Sequence, residues 1–342
     1  MQRYNILLTG GGTGGHLAIV KSIKDELLKR GIDTYYIGSK SGQDRVWFED
    51  DNDFKDKLFL STKGVVNQKG LSKLHSISQI FKAMFTAKDF IKSYNIKAVL
   101  SVGGFSAAAA SFAAILTKTP LFIHEQNAIS GHLNRILKPF AKQFFSSYGD
   151  SRVDYPVSKE FFKTARIRTE VKRVIFLGGS QGAKAINDFA LQVAKELKRR
   201  NIAITHQTGK IDYERVCKAY KRLDVKADVF SFDKELYLHI ARADLAVSRA
   251  GASTLWELTA TQIPTLFIPY PYAANDHQYH NASYHVDMNA GWVKRENMLK
   301  PKTLLNILDS DIKSVSKKLG TMIDQNGACK IVDSMNIESK ST

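Results

Sequence analysis

The sequence predicts an α/β protein built from two doubly wound parallel-sheet domains, and three observations predict it. Its 342 residues are about twice what one core comfortably organises. Short β-branched runs alternate along the whole chain with amphipathic stretches of helical period, the pattern of βαβ units. The two halves also echo each other: VLSVGGFSAAAASFAAILTKTPLFIHE and LAVSRAGASTLWELTATQIPTLFIP both read strand, glycine turn, serine, helix, proline, strand.

In order, the first half offers strands at Asn5–Leu8, Thr34–Ile37, Ala98–Val102 and Leu121–His124, separated by segments long enough for helices. The second offers Arg173–Leu177, Ala203–Gln207, Val229–Phe230, Leu245–Ser248 and Thr265–Ile268. Between them Tyr148 to Val157, with Gly149 and Pro156, reads as the linker, giving domains 1–157 and 158–342. Composition is that of a globular chain, 44% hydrophobic and 24% charged. Cys217 and Cys329 stand far apart, so neither a disulfide framework nor a cysteine zinc site is on offer, as suits a reducing cytosol. The start runs from Arg3 straight into an apolar strand, without the pattern of a signal peptide, and the longest apolar run, Ala107 to Leu116, is too short to span a bilayer.

The formal net charge of +17 calls for a partner such as nucleic acid, an anionic membrane or a phosphorylated substrate. It divides as +8 and +9 between the halves, and no nucleic-acid-binding motif accompanies it, so a basic nucleic-acid-binding protein stays a minor alternative.

Glycine loops carry the chemistry. GGGTGGH at 10–16 links the first strand to the first helix, and Gly10, Gly12 and Gly15 satisfy the GxGxxG spacing of a dinucleotide site. A cofactor-dependent oxidoreductase would need an acid at the end of the second strand, where Gly38, Ser39 and Lys40 stand. VIFLGGSQGAKAIN makes a second such turn around Ser180 and contains no P-loop lysine. Two glycine loops on facing sheets suggest a ligand held in an interdomain cleft. A third turn, Arg249 to Thr254, can cap a helix whose N–H groups face an anion, with Glu257 one turn on to accept ribose hydroxyls. The DxD strings Asp51–Asp53 and Asp309–Asp311 lie in charged or tail-like segments, and His277 and His280 lack a third ligand, so no metal site is expected.

These residues together resemble a known family. GGGTGGH, GGFS at 103–106, HEQN at 124–127, GGSQGA at 178–183, the RAGAxTxxE turn and DHQYHNA at 276–282 occur in the order and spacing of the MurG family, bacterial UDP-N-acetylglucosamine transferases that make lipid II from lipid I, from residue 6 to about 295. The resemblance implies two facing Rossmann-like domains in the GT-B architecture, with lipid acceptor on the first and nucleotide sugar on the second. It implies inverting transfer of GlcNAc to the 4-hydroxyl of MurNAc, with UDP-GlcNAc and lipid I as partners and no cofactor. Carried onto this chain, Thr13, Gly14, Gly15 and Asn127 would face the transferred sugar. Ser180, the helix start Ala252, Ser253, Thr254, Leu255 and Glu257, and Gln278 with His277 would hold the donor. His16, Glu125, Asn134, Asn187 and Arg249 would lie in or beside the acceptor cleft, with His16 first choice as general base and Glu125 second. Where the family has NPVR at the linker this chain has YPVS, so Ser158 replaces an arginine that helps hold the donor, and Lys159 is a partial substitute only. The prolines usual after GGTGGH and after the GG[YF] turn are absent.

A lipid-linked substrate keeps the enzyme at a membrane. Residues 61–100 hold a local charge of +6, and Leu74, Ile77, Phe81 and Met84 recur at helical spacing beside Lys69, Lys73, Lys82 and Lys88. We expect an interfacial patch there, peripheral on the cytoplasmic face of the inner membrane and selective for anionic lipid. The last helix, about 315–338, is expected to pack back on the first domain.

Overall fold

The computed structural model describes residues 4–62, 71–149, 152–179 and 182–336. It divides into a unit that runs to Val157 and takes up the chain again from Asn326, and a unit of Ser158–Gln325. The first holds a six-stranded parallel sheet: β1 (Asn5–Thr9), β2 (Asp33–Ser39), β3 (Asp56–Leu60), β4 (Ala98–Ser101), β5 (Leu121–Glu125) and β6 (Gln143–Ser146), in the order β3-β2-β1-β4-β5-β6. The second holds β7 (Arg173–Leu177), β8 (Ala203–Gln207), β9 (Ala227–Phe230), β10 (Leu245–Ser248), β11 (Thr265–Phe267) and β12 (Trp292–Val293), in the order β12-β11-β10-β7-β8-β9. Numbered within its own domain, each sheet reads 3-2-1-4-5-6, the Rossmann order.

Helices on both faces bury the strands, so the central ones read as unbroken apolar runs rather than alternating ones. All four residues of β4 and of β10 are buried. The helix Lys184–Arg199 shows the complementary pattern: Ile186, Phe189, Ala190, Val193, Ala194 and Leu197 are buried at a spacing of three and four and pack on Val174, Phe176 and Val247. On the first sheet, Ala83, Ala87 and Ile91 of the helix Leu71–Ser93 and Ala109, Ala110, Ala113 and Ala114 cover Leu7, Val99 and Ile123.

Every strand expected from the sequence is present, and the repeated segments are the fourth and fifth strands of each sheet. Three strands were not anticipated: β3, β6 and β12, all at sheet edges. The return to the first domain is made by the helix Gly327–Ser334, which packs on the helix Gly14–Lys29; Arg30 pairs with Asp333 at 2.5 Å and Lys330 with Asp154 at 2.5 Å. The preceding helix, Ile312–Leu319, stays with the second unit.

The order of each sheet reverses between its first and fourth strands, and ligands of open α/β sheets bind beyond the carboxyl ends at that point. The loops after β1 and β4 carry GGGTGGH and GGFS, and those after β7 and β10 carry GGSQGA and RAGA. All four motifs therefore stand at the two switch points.

Candidate functional site

In the first domain β1 ends at Thr9 and the helix starts at Gly14, leaving a tight loop. Gly12 has φ +84°, and Gly11 N–H donates to Gly103 O at 3.3 Å, which locks the loop to the turn after β4. A carboxylate that the motif does not contain lies beneath it. Asp44, fully buried, accepts from Gly12 N at 2.6 Å, from Ser39 N at 3.0 Å and from the Tyr36 hydroxyl at 3.1 Å. Burial first, and then Asp44, push the Tyr36 hydroxyl well above the ordinary tyrosine range. The Gly12 N–H, one of the loop amides a dinucleotide fold offers to pyrophosphate, is thus already taken by a carboxylate of the chain.

Thr13 is exposed at the helix start, and His16 follows on its first turn. His16 Nδ1 lies 2.9 Å from Thr13 Oγ1, while Nε2 meets the Gln126 side-chain amide, whose Oε1 accepts from the Tyr155 hydroxyl at 3.3 Å. With that amide donating, the imidazole is the Nδ1–H tautomer and its basic nitrogen points at Gln126. Glu125 at the end of β5 is buried and saturated: Oε1 accepts from Asn127 N (3.0 Å) and Nδ2 (3.4 Å), and Oε2 from Gly131 N (2.9 Å) and Asn134 Nδ2 (2.9 Å). An acceptor hydroxyl reaches this carboxylate only by displacing a donor. Glu125 thus orders Asn127 and Asn134. His124, wholly buried, is held uncharged by burial and by the nearby His16, its pKa lowered to about 3.

In the second domain Gly179 and Gly182 take φ +77° and +82° after β7; Ser180 lies outside the described residues. Asn187 does not present itself to a ligand. It is fully buried, its amide donating to Thr208 O (3.1 Å) and Asp212 Oδ2 (2.7 Å) and its oxygen 3.0 Å from His206 Nε2, so it braces the domain interior rather than an acceptor surface. His206 is kept neutral by burial, its pKa about 3.

After β10 the helix Ala252–Ala260 begins at Gly251 with no side-chain cap, so its first N–H groups are available to an anion. Helical phase then sorts the expected donor residues. Ser253, Thr254 and Glu257 are partly exposed, whereas the Leu255 side chain is 0% exposed and its N–H donates to Gly251 O, so Leu255 is core and cannot contact donor. Ala252 is likewise buried and can offer only backbone. Ser253 Oγ donates to Glu257 Oε1 at 2.7 Å; burial pushes the Glu257 carboxyl up, and this hydrogen bond partly opposes it. Gln278 Oε1 accepts from Ala250 N (3.3 Å) and Tyr270 N (2.9 Å), stapling the loops after β10 and β11. Arg249 is held within the second domain: it donates to Ile268 O and Pro269 O, pairs with Glu296 at 2.5 Å and lies over the Tyr270 ring. His277 Nδ1 is 2.8 Å from Ala274 O. At the linker Ser158 hydrogen-bonds Glu160, and Lys159 opens a short helix.

Both DxD strings have structural employment. Asp51 and Asp53 hold the buried Lys24 ammonium at 2.6 and 3.0 Å, while Asp309 pairs with Arg200 and Asp311 caps the helix Ile312–Leu319. Among the described residues no three His, Cys, Asp or Glu converge as a metal cluster.

Lys69 lies outside the described residues, as do the side chains of Lys73, Leu74 and Ile77 in the helix Leu71–Ser93. The rest of the expected stripe divides. Met84 turns inward and packs on the core, while Phe81 and Phe85, 59% and 42% exposed, meet edge to face at 5.2 Å with Lys88 over the Phe85 ring. The outward pair is one helical turn apart, so Phe85 replaces Met84 in the patch. Among the described residues no helix is long and apolar enough to cross a membrane.

Residues 6–146 match the glycosyltransferase family 28 N-terminal domain and residues 173–335 its C-terminal domain. The chain is 50% identical over 331 residues to the UDP-N-acetylglucosamine–N-acetylmuramyl-(pentapeptide) pyrophosphoryl-undecaprenol N-acetylglucosamine transferase of Wolinella succinogenes, covering 96% of this chain and 98% of that one. It is 53% identical over 329 residues to the like-named protein of Sulfurimonas denitrificans, covering 96% and 97%. Its fold is similar to the crystal structure of Acinetobacter baumannii MurG, with TM-score 0.80 at 24% identity and coverage of 98% and 99%.

Proposed function

The chain belongs to glycosyltransferase family 28, and from that premise we propose how its two domains divide one reaction. The protein moves GlcNAc from UDP-GlcNAc to the MurNAc 4-hydroxyl of lipid I, forming lipid II for peptidoglycan synthesis. The observation that carries the donor assignment is the uncapped start of the helix Ala252–Ala260 with Glu257 one turn along. Departure of UDP places charge on a diphosphate, which helix N–H groups and the helix dipole stabilise without reorganisation. Glu257 accepts the ribose hydroxyls, with Ser253, Thr254 and the loop held by Gln278 around the nucleotide. The diphosphate needs no metal in this scheme.

The first domain takes the acceptor. Thr13, Gly14, Gly15 and Asn127 face the sugar being transferred, Asn134 lies on the acceptor side, and His16 takes the proton of the 4-hydroxyl once that hydroxyl displaces the Gln126 amide from Nε2. Glu125 keeps Asn127 and Asn134 in place. The lipid substrate sets the location: the protein works peripherally on the cytoplasmic face of the membrane, with Phe81 and Phe85 entering an anionic leaflet. Nucleic acid has no part.

The test is incubation with radiolabelled UDP-GlcNAc and a short-chain lipid I analogue, with and without EDTA. Label in a β-linked disaccharide product at equal rates in both is expected. Absence of transfer despite UDP binding would reject the reaction, and inhibition by EDTA reversed by magnesium would restore a metal.

A further inference from the structure

The transfer chemistry above leaves one fully buried carboxylate of the first domain without a role. Asp44 opens the short helix Asp44–Phe48 after β2, and its three hydrogen bonds tie two segments together: Gly12 N in the glycine loop, and Ser39 N and the Tyr36 hydroxyl, both of β2. The single Tyr36 hydroxyl proton is shared between Asp44 Oδ1 and Gly10 O, 2.9 Å away, so carboxylate and phenol together hold the loop at Gly10 and Gly12. Gly11 passes so close to the carboxylate that a Cβ there would overlap it. The helix that follows, Gly14–Lys29, has neither a side-chain N-cap nor an acid in its first turn, so the loop before it is not held by a cap of that helix.

A glycine loop is ordinarily ordered by the phosphate it binds. This one is ordered from within, before any substrate arrives, and the residues it delivers at the helix start are Thr13 and His16. We propose that Asp44 is a positioning residue for the transfer: by holding the loop it fixes the placement of Thr13 against the transferred sugar and of His16 against the acceptor hydroxyl. This inference rests on the proposed role of the first domain in receiving the acceptor. Misplacing a reacting group by a fraction of an ångström slows chemistry while leaving the nucleotide contacts of the second domain untouched.

The test is Asp44→Asn, which keeps the shape but turns an NH2 toward one of the backbone donors. Turnover with both substrates saturating should fall by about 10- to 100-fold while KM for UDP-GlcNAc stays within about twofold, the mark of an interaction that matters only to the chemical step. Amide exchange over residues 10–15 should quicken by about fivefold or more, with the second domain unchanged. Tyr36→Phe, which keeps the charge and removes one donor, should lose roughly threefold in kcat and decides the matter if Asp44→Asn does not fold. Turnover of either folded variant equal to wild type, or unaltered exchange in the loop, overturns the proposal. Failure of the wild-type protein to transfer sugar would reject the function instead, while the exchange measurement still judges Asp44.

Discussion

The roles proposed for Glu257 and His16, recognition and chemistry, can be told apart by single substitutions. Glu257 is partly exposed on a helix turn and bonded only to Ser253 among the described residues, so Glu257→Ala should raise KM for UDP-GlcNAc by about tenfold or more with little change in melting temperature, as loss of a charge-assisted bond implies. Unchanged donor kinetics in a folded variant would remove it from the ribose. His16→Ala should instead lower kcat by roughly 10²- to 10⁴-fold, the usual worth of a general base, and a pH–rate profile should lose its acidic limb. A loss under about threefold would shift the proton to another group. Sequence can propose such roles where side chains recur at fixed spacing, as in the RAGAxTxxE turn. Asp44 was not legible, because two of its three donors are backbone N–H groups that carry no letter. Asn187 and Leu255 were misplaced for the opposite reason: a motif names residues without saying which way they face. The apolar side chain of Leu255, two positions from Ser253 and Glu257, was itself the sign that it faces the core.

At the scale of elements, the strands that sequence missed share one property. β3, β6 and β12 sit at sheet edges, and their burial patterns are only partial, so DKLFL, QFFS and WV lack the unbroken apolar runs that betray the central strands. The helix Leu71–Ser93 illustrates a second limit. Spacing announced an apolar stripe, but only packing could divide it, because Ala83, Ala87 and Ile91 already fill the core face and leave Phe81 and Phe85 outside. Two exposed phenylalanines bracketed by lysines suit a lipid surface, where each lysine near an anionic leaflet contributes about 1 kcal/mol. Sedimentation with vesicles should therefore be strong for anionic and weak for zwitterionic lipid, fall with salt, and be lost in Phe81→Asp/Phe85→Asp, while Met84→Ala lowers stability and leaves binding intact. Equal sedimentation of the phenylalanine variant and wild type would leave the patch without a membrane role.

Across the whole molecule, duplication was readable because the fourth and fifth strands with their connecting helix are the most buried parts of both sheets, and burial constrains sequence most. Each domain also carries a liability, at positions the duplication does not relate: a histidine kept uncharged by burial, His124 in β5 and His206 in β8, both with pKa lowered to about 3. In the unfolded chain each imidazole titrates near 6.5, so below that pH the unfolded state binds the extra proton and the native state does not. The stability that each contributes is complete above about pH 6.5 and is lost as pH falls toward 3, by about 2 kcal/mol per histidine at pH 5. Melting of both domains should therefore drop by about 4–8 °C between pH 7.5 and pH 5. The net charge of +17 also rises in acid and predicts loss of stability through repulsion, but repulsion is screened by salt and the cost of burying a proton-free imidazole is not. Differential scanning calorimetry at low and high salt, with domain-resolved hydrogen exchange, separates the two. His206→Gln should flatten the acid response of the second domain alone and leave that of the first unchanged, at either ionic strength. An acid response abolished by salt, or one identical in wild type and His206→Gln, would assign the effect to surface charge and not to the buried rings.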